Sequence, residues 1–288
     1  MAGNDFKFSV DLNVINHLGV GLYSSTAAAL TELVANAWDA DAKSVTVTVV
    51  EKTRTMIIED NGHGMTAEGV QGKFLNVGYA RRMNSRKPAW SESGKRRVMG
   101  RKGIGKLAMF ALADEIVVSS QAKGSRPVGF RINVPDFKKS LQQSSSVSLE
   151  EHAPKPFPEG HGTRIELRQI LPGLQTDENQ LRTRIARRFS VIEDSSGFVV
   201  ELNKKRITKQ DRGFYESVQM LWTFDAKSKA ETVKLSPNIA TLPRQAGKTG
   251  PARKCLGTLA PTVKLENTSF KVTGYIASVF KPSQLGTK

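Results

Sequence analysis

The chain has 288 residues, enough for one large domain or two medium ones, each with its own core. Apolar residues make up 39% and charged residues 24%, which excludes a collagen-like, membrane-spanning or wholly disordered polymer. Lys and Arg outnumber Asp and Glu by 43 to 27, a balance of +16, and the single cysteine, Cys255, excludes an internal disulfide framework and a cysteine-clustered zinc site.

No apolar run reaches spanning length, and Met1–Lys7 lacks the apolar core of a signal peptide. A cytoplasmic protein with no membrane partner is expected. The charge is uneven: residues 1–65 carry −4, residues 66–110 carry +9, residues 111–200 carry +1 and residues 201–288 carry +10. A basic block can neutralise nucleic-acid phosphates, a nucleotide or an acidic partner, or it can be a solvated surface that keeps the protein soluble.

In chain order, the pattern predicts a helix over 24–38, capped by Ser24 or Ser25, with Leu30, Leu33, Val34 and Ala37 on one face. Strands follow over 44–50 and 55–59, then a loop over 61–64. Residues 81–101 carry charge without apolar periodicity and read as a long mobile loop. A helix over 104–112 with a glycine-rich start precedes strands over 115–119 and 128–134. Residues 140–162 read as a loop or insertion, and 163–167 as another strand. A helix over 178–189 leads to strands near 197–202, 219–224 and 270–280, with an irregular connection over 225–260. A domain boundary is placed near residue 172, after Leu171-Pro172-Gly173. No repeat or heptad pattern is visible.

Four short motifs carry chemistry. In the first, Glu32-Leu-Val-Ala-Asn36-Ala-Trp-Asp39-Ala, Glu32 and Asn36 are four residues apart and share a helix face. An acid and an amide there can serve a metal and an attacking water together, although a polar face turned to water has the same pattern. The second is Glu59-Asp60-Asn61-Gly62-His63-Gly64-Met65. An aspartate ending an apolar strand before two glycines lets backbone approach a flat ligand while the carboxylate accepts hydrogen bonds. A plain turn would have the same composition. The third, Gly100-Arg-Lys-Gly103-Ile104-Gly105-Lys106, opens a helix and describes a phosphate cradle. It is not a P-loop, because Leu107 stands where Ser or Thr must hold magnesium, and no convincing strand precedes it as a dinucleotide fingerprint requires. The fourth is Gly162-Thr163 at the start of a strand, informative only through its order after the other three.

In that order the four motifs, spanning about residues 12–168, resemble the N box, G1 box, G2 box and Gly-Thr motif of the GHKL ATPase superfamily (gyrase, heat-shock chaperones, histidine kinases, MutL). Glu32 and the Asp39-Ala pair resemble the gyrase–chaperone–MutL branch. Ile15–Gly19 and Leu22-Tyr23-Ser24 are similar to bacterial relatives of the MORC proteins. The resemblance implies an α/β fold, the Bergerat sandwich with helices on one face of a mixed sheet, over residues 1–172. It also implies a second, transducer-like α/β domain over 173–288.

By the same resemblance, Glu32 is the general base and Asn36 the magnesium ligand. Asp60 binds the adenine amino group, with Gly62, Gly64 and Met65 shaping the nucleotide's approach. Gly103, Ile104, Gly105 and Lys106 meet the phosphates, and Thr163 supports the adenine end. Residues 67–99 correspond to a lid over ATP, and Lys281 stands as a candidate γ-phosphate contact. The implied function is Mg2+-dependent ATP hydrolysis driving lid closure and dimerisation, as the motor of a larger DNA-associated or defence-related protein. The alternatives are a nucleotide-gated interaction module without turnover, or a histidine kinase core, for which only His17 precedes the N box. On this reading the +9 block serves ATP, and DNA binding rests on the basic C-terminal half. The chain is also expected to be a fragment, with effector regions after Lys288.

Overall fold

The computed structural model describes residues 7–9, 26–76, 90–100, 105–144, 146–172, 177–189, 191–192, 197–215, 218–236, 256–260, 262–265 and 268–279. They fall into two compact units, Met1–Lys209 and Gln210–Lys288.

In the first unit, strands β1 (Lys7–Ser9), β2 (Ser44–Val50), β3 (Thr55–Asp60), β4 (Ala113–Gln121), β5 (Val128–Asn133), β6 (Ser146–Ser148), β7 (Glu150–Glu151), β8 (Gly162–Ile170), β9 (Val199–Leu202) and β10 (Lys205–Arg206) accompany, among the described residues, three longer helices. These helices are α1 (Thr26–Asp39), α2 (Val134–Gln143) and α3 (Glu178–Arg188). Eight strands form one sheet in the order β10-β9-β2-β3-β8-β4-β5-β7. The β2–β9 pair is parallel and the other neighbours antiparallel, so the sheet is mixed. β1 and β6 make a separate two-stranded sheet.

Alternation sets which face is buried. Val45, Val47, Met56, Ile58, Ile116, Val118, Ile165 and Leu167 pack into one core with Leu30, Leu33 and Val34 of α1, Leu107 and Phe110 of the 3₁₀ turn Gly105–Ala111, and Leu181 and Ile185 of α3. The opposite face carries an ion-pair ribbon in which Arg164 meets Glu59 and Glu166, and Arg168 meets Glu166 and Glu115. Helices thus lie on one face of a mixed sheet, the architecture the motifs imply.

The boundary expected near residue 172 falls inside this unit. β9 pairs with β2, and Leu181 and Ile185 of α3 bury themselves in the same core, so the unit runs on to Lys209. Other differences are local. The helix expected over 104–112 is a 3₁₀ turn, and α2 with β6 and β7 occupies part of the stretch read as a loop. Asn133 caps α2 by accepting from Asp136 N at 3.0 Å, and Pro135 fits the first turn because its missing N–H has no partner there anyway.

The second unit is also α/β. It holds β11 (Val218–Thr223), β12 (Leu256–Thr258), β13 (Thr262–Leu265), β14 (Thr268–Lys271), β15 (Tyr275–Val279) and α4 (Ala226–Leu235). The order β12-β11-β15 forms one sheet, and β13 and β14 form a hairpin. The helix α4 occupies the first part of the stretch over 225–260 expected as an irregular connection: Asp225 caps it by accepting from Ser228 N at 2.8 Å. The strand expected over 270–280 is two strands, divided around Gly274, whose φ of 122° favours glycine. Among the described residues no helix is long and apolar enough to cross a membrane.

Candidate functional site

Helix α1 presents Glu32 and Asn36 one turn apart, Glu32 half-buried and Asn36 exposed. The helix ends in a Schellman motif, with Ala42 N donating to Ala37 O at 3.0 Å and Asp41 N to Trp38 O at 3.1 Å. Asp41 takes the left-handed conformation at φ 60°, which its short polar side chain tolerates. Gly105 lies directly against Glu32: a Cβ there would sit 2.6 Å from Glu32 Oε2. Two motifs 73 positions apart in sequence therefore meet at a carboxylate, and a side chain at 105 would displace it.

Asp60 stands two residues after Ile58 and four after Met56, on the inward face of β3. Its Oδ1 accepts from Gly62 N at 2.8 Å. The residue keeps part of its surface open, but its carboxyl group is closed in by protein. Burial pushes it up to about 7, against the opposing pull of the Gly62 N–H. A Cβ on Gly62 would lie 2.7 Å from Ala40 O and 2.8 Å from Asp60 Oδ1, so this close turn requires glycine. Gly64, at φ 63°, is more constrained: a Cβ would come within 1.8 Å of Gln121 O.

The strand register joins the second and fourth motifs, because Asp60 is paired with Thr163 across β3 and β8. A residue the sequence reading missed completes this end. Ser120, fully buried on β4 opposite Thr163, accepts from Met65 N at 3.0 Å and donates to Gly162 O at 2.9 Å. Since its one hydrogen is spent on that carbonyl, the Thr163 hydroxyl donates to it across 2.9 Å. Nothing in the local sequence marks this serine, since the strand Ala113–Gln121 shows only an apolar run ending in Ser-Ser-Gln. His161 adds a further tie: its Nδ1–H donates to Gly62 O at 2.7 Å.

The third motif is only partly described, with Gly103 and Ile104 outside the described residues. Lys106 is engaged with backbone carbonyls. It is buried, and its Nζ donates to Lys73 O at 3.0 Å, within the helical turn Ala67–Phe74, and to Asn76 O at 2.8 Å, just after it. Burial pushes its ammonium down to about 8. The phosphate contact expected of Lys106 therefore needs a different side-chain arrangement from the one found. His17, the Ile15–Gly19 and Leu22–Ser24 segments, Cys255 and Lys281 also lie outside the described residues.

The segment expected as a long loop over 81–101 is described only from Trp90 to Gly100, and that part is fastened to the end of α1. Trp38 Nε1 donates to Arg97 O at 2.9 Å, and the Arg96 guanidinium lies 4.3 Å from the Trp38 ring centre. Asp41 accepts from Ser93 N at 3.0 Å and Ser93 Oγ at 2.8 Å.

Taken together, the site offers a closed-in carboxylate for a hydrogen-bond donor on a flat ligand, and a second carboxylate beside a glycine-rich turn. Among the described residues no group of three or more His, Cys, Asp or Glu side chains could cage a metal. A single amide, Asn36, suits a magnesium ion whose other ligands are phosphate oxygens and water.

Residues 23–163 match the family model described as "Histidine kinase-, DNA gyrase B-, and HSP90-like ATPase". The chain is also similar to the provisionally named type II restriction enzyme HgiDII of Herpetosiphon aurantiacus, 39% identical over 233 residues, 79% of this chain and 36% of that protein. It resembles the chaperone protein HtpG of Chlorobium phaeobacteroides at 26% identity over 151 residues, 44% of this chain and 24% of that protein. HtpG of Oleidesulfovibrio alaskensis is 28% identical over 180 residues, 54% of this chain and 26% of that protein. The chain spans about a third or less of the length of these relatives.

Proposed function

We propose that the chain, whose residues 23–163 belong to the histidine kinase-, DNA gyrase B- and HSP90-like ATPase family, binds ATP and hydrolyses it in a magnesium-dependent reaction. The observation that carries this reading is the convergence of distant motifs: Glu32 against Gly105, Asp60 paired with Thr163, and Met65 tied through Ser120 to Gly162.

In this reading Asp60, oriented by the Gly62 N–H, accepts the hydrogen bond of the adenine amino group. The Ser120–Thr163 pair fixes the strand ends around it. Glu32 takes the proton of the attacking water as general base. Asn36 would hold magnesium, which when bound supplies neutralisation of phosphate charge. Phosphoryl transfer depends mainly on such positioning and charge compensation, and this arrangement is suited to provide both. Gly103 and Gly105 bring backbone N–H groups to the phosphates. Residues 67–99 act as the lid, and its closure accompanies dimerisation.

Similarity to the type II restriction enzyme HgiDII supports a place for this ATPase in a defence-related protein that acts on DNA. The second unit then serves as transducer. The basic residues after 201 are the DNA-facing charge, beginning with Lys204, Lys205 and Arg206, all exposed on the β9–β10 hairpin. Phosphate release from ATP by the 288-residue chain, with and without a magnesium chelator, tests the reading. Turnover abolished by the chelator is expected, and absence of ATP binding contradicts it. For DNA, affinity for random-sequence duplex should fall steeply with salt. No binding at low salt contradicts that part.

A further inference from the structure

We propose that Asp39 is a positioning residue for the phosphate loop, fastening the start of that loop to the same helix that carries Glu32. The inference rests on the ATP reading above and extends it to a residue that does not itself touch the nucleotide.

Glu32 and Asp39 are seven residues apart, two turns of α1, so their side chains return to nearly the same face. Asp39 is buried, at 8% exposure. Its carboxylate accepts from two successive backbone amides: Met99 N to Oδ1 at 2.7 Å, and Gly100 N to Oδ2 at 2.9 Å. Gly100 is the first glycine of the phosphate loop and Gly105 the last. One end of the loop is held by the Asp39 carboxylate, and the other rests on the Glu32 carboxylate. Two acids on one helix thereby fix the span that the loop must bridge.

The chemistry of the group matters. A carboxylate offers two acceptor oxygens in one plane and accepts with charge assistance. An amide in its place offers one acceptor, and its NH2 would face an N–H. The amides of Met99 and Gly100 are spent on Asp39 and so serve to fasten the loop rather than to meet phosphate. Gly100 belongs to the same device, since a Cβ there would lie 2.9 Å from Asp39 Oδ2 and push against a carboxylate already held by two hydrogen bonds. The neighbouring ties from Trp38 to Arg97 and from Asp41 to Ser93 hold the preceding segment independently. Loss of the Asp39 bonds should therefore move the loop more than it unfolds the segment.

The test compares ATP with adenosine, which keeps the base that Asp60 would bind and lacks every phosphate. Binding of both ligands, together with kcat and KM for ATP, is measured on the 288-residue chain and on Asp39→Asn and Gly100→Ala. Each variant should weaken ATP binding and raise KM about tenfold or more, as expected for lost charge-assisted bonds, while adenosine affinity stays within about twofold. Asp39→Glu, which restores both acceptor oxygens on a longer arm, should recover part of the loss. The proposal is overturned if ATP affinity is unchanged in either folded variant. It is equally overturned if ATP and adenosine affinities fall in parallel with the melting temperature, the signature of a residue that only supports the fold. A parent chain that binds adenosine but gains nothing from the phosphates removes the loop's role. One that binds neither ligand removes the ATP reading itself, and this proposal with it.

Discussion

The two ends of the candidate site are built in different ways. The end proposed for adenine is made by strand register: Asp60, Thr163 and Ser120 lie side by side on adjacent strands β3, β8 and β4, and buried hydrogen bonds to Met65 and Gly162 tie them together. The end proposed for the phosphates is made by a helix and turns. Glu32 is half-buried, Asn36 is exposed, and Lys106 is engaged with the carbonyls of Lys73 and Asn76. A register-built end presents its groups before the ligand arrives, because every group is held by the sheet ladder. A turn-built end holds its reacting groups only as well as the turns are fastened. This division predicts that base recognition and hydrolysis can be damaged separately.

The largest expected effect is on chemistry. Glu32→Ala should lower ATP turnover by about 10²- to 10⁴-fold, the range for loss of a general base, with ATP affinity near that of the parent chain. Phosphate release and equilibrium binding check the two halves of that statement. Asp60→Asn should act at the other end, weakening ATP and adenosine alike by about ten- to a hundredfold, since one acceptor oxygen becomes a donor.

A third expectation concerns pH. With its carboxyl pushed up to about 7, Asp60 is increasingly protonated in the free protein as pH falls below 7. Adenosine, which does not titrate there, should lose about fivefold in affinity between pH 7 and 6, and Asp60→Asn should abolish that dependence. Stability runs the other way. Between the ordinary value of 3.8 and about 7 the folded chain holds a proton that the unfolded chain has released. This contribution therefore makes the fold less stable as pH rises through the window, on the order of a few kcal/mol in all, and constant above it. Asp60→Asn should consequently raise the melting temperature at pH 8 while impairing binding.

The smallest effect is expected for Ser120→Ala, which leaves Met65 N and Gly162 O without their shared partner. A loss of about 1–3 kcal/mol in unfolding free energy, with only a few-fold loss of adenosine affinity, would fit a residue that braces the adenine end. A large loss of turnover with unchanged stability would break the division between the ends.

The sequence made much of this legible because the motifs carry physical constraints that are local. Alternating Val and Thr identify Ser44–Val50, and the polar pair Glu32 and Asn36 is visible from helical spacing. What was not legible was set by tertiary contacts. Ser120 acquires its role only when β4 is brought beside β8. Lys106 follows the glycines as a phosphate ligand would, yet in the fold its amine reaches the carbonyls of a neighbouring turn. The boundary near 172 looked sound because Pro172 and Gly173 interrupt the chain, but the parallel pairing of β9 with β2 carries the first unit past it. The helices α2 and α4 were hidden by Ser-, Lys- and Pro-containing composition, although Asn133 and Asp225 supply their caps.

The central claim is that one carboxylate performs the chemistry and another reads the base. Its most direct test is a paired measurement of ATP binding and phosphate release on Glu32→Ala and Asp60→Asn. The account predicts that Glu32→Ala binds ATP like the parent chain without turning it over, and that Asp60→Asn loses affinity for ATP and adenosine together. Normal turnover by Glu32→Ala, or unchanged adenosine affinity in Asp60→Asn, would contradict it.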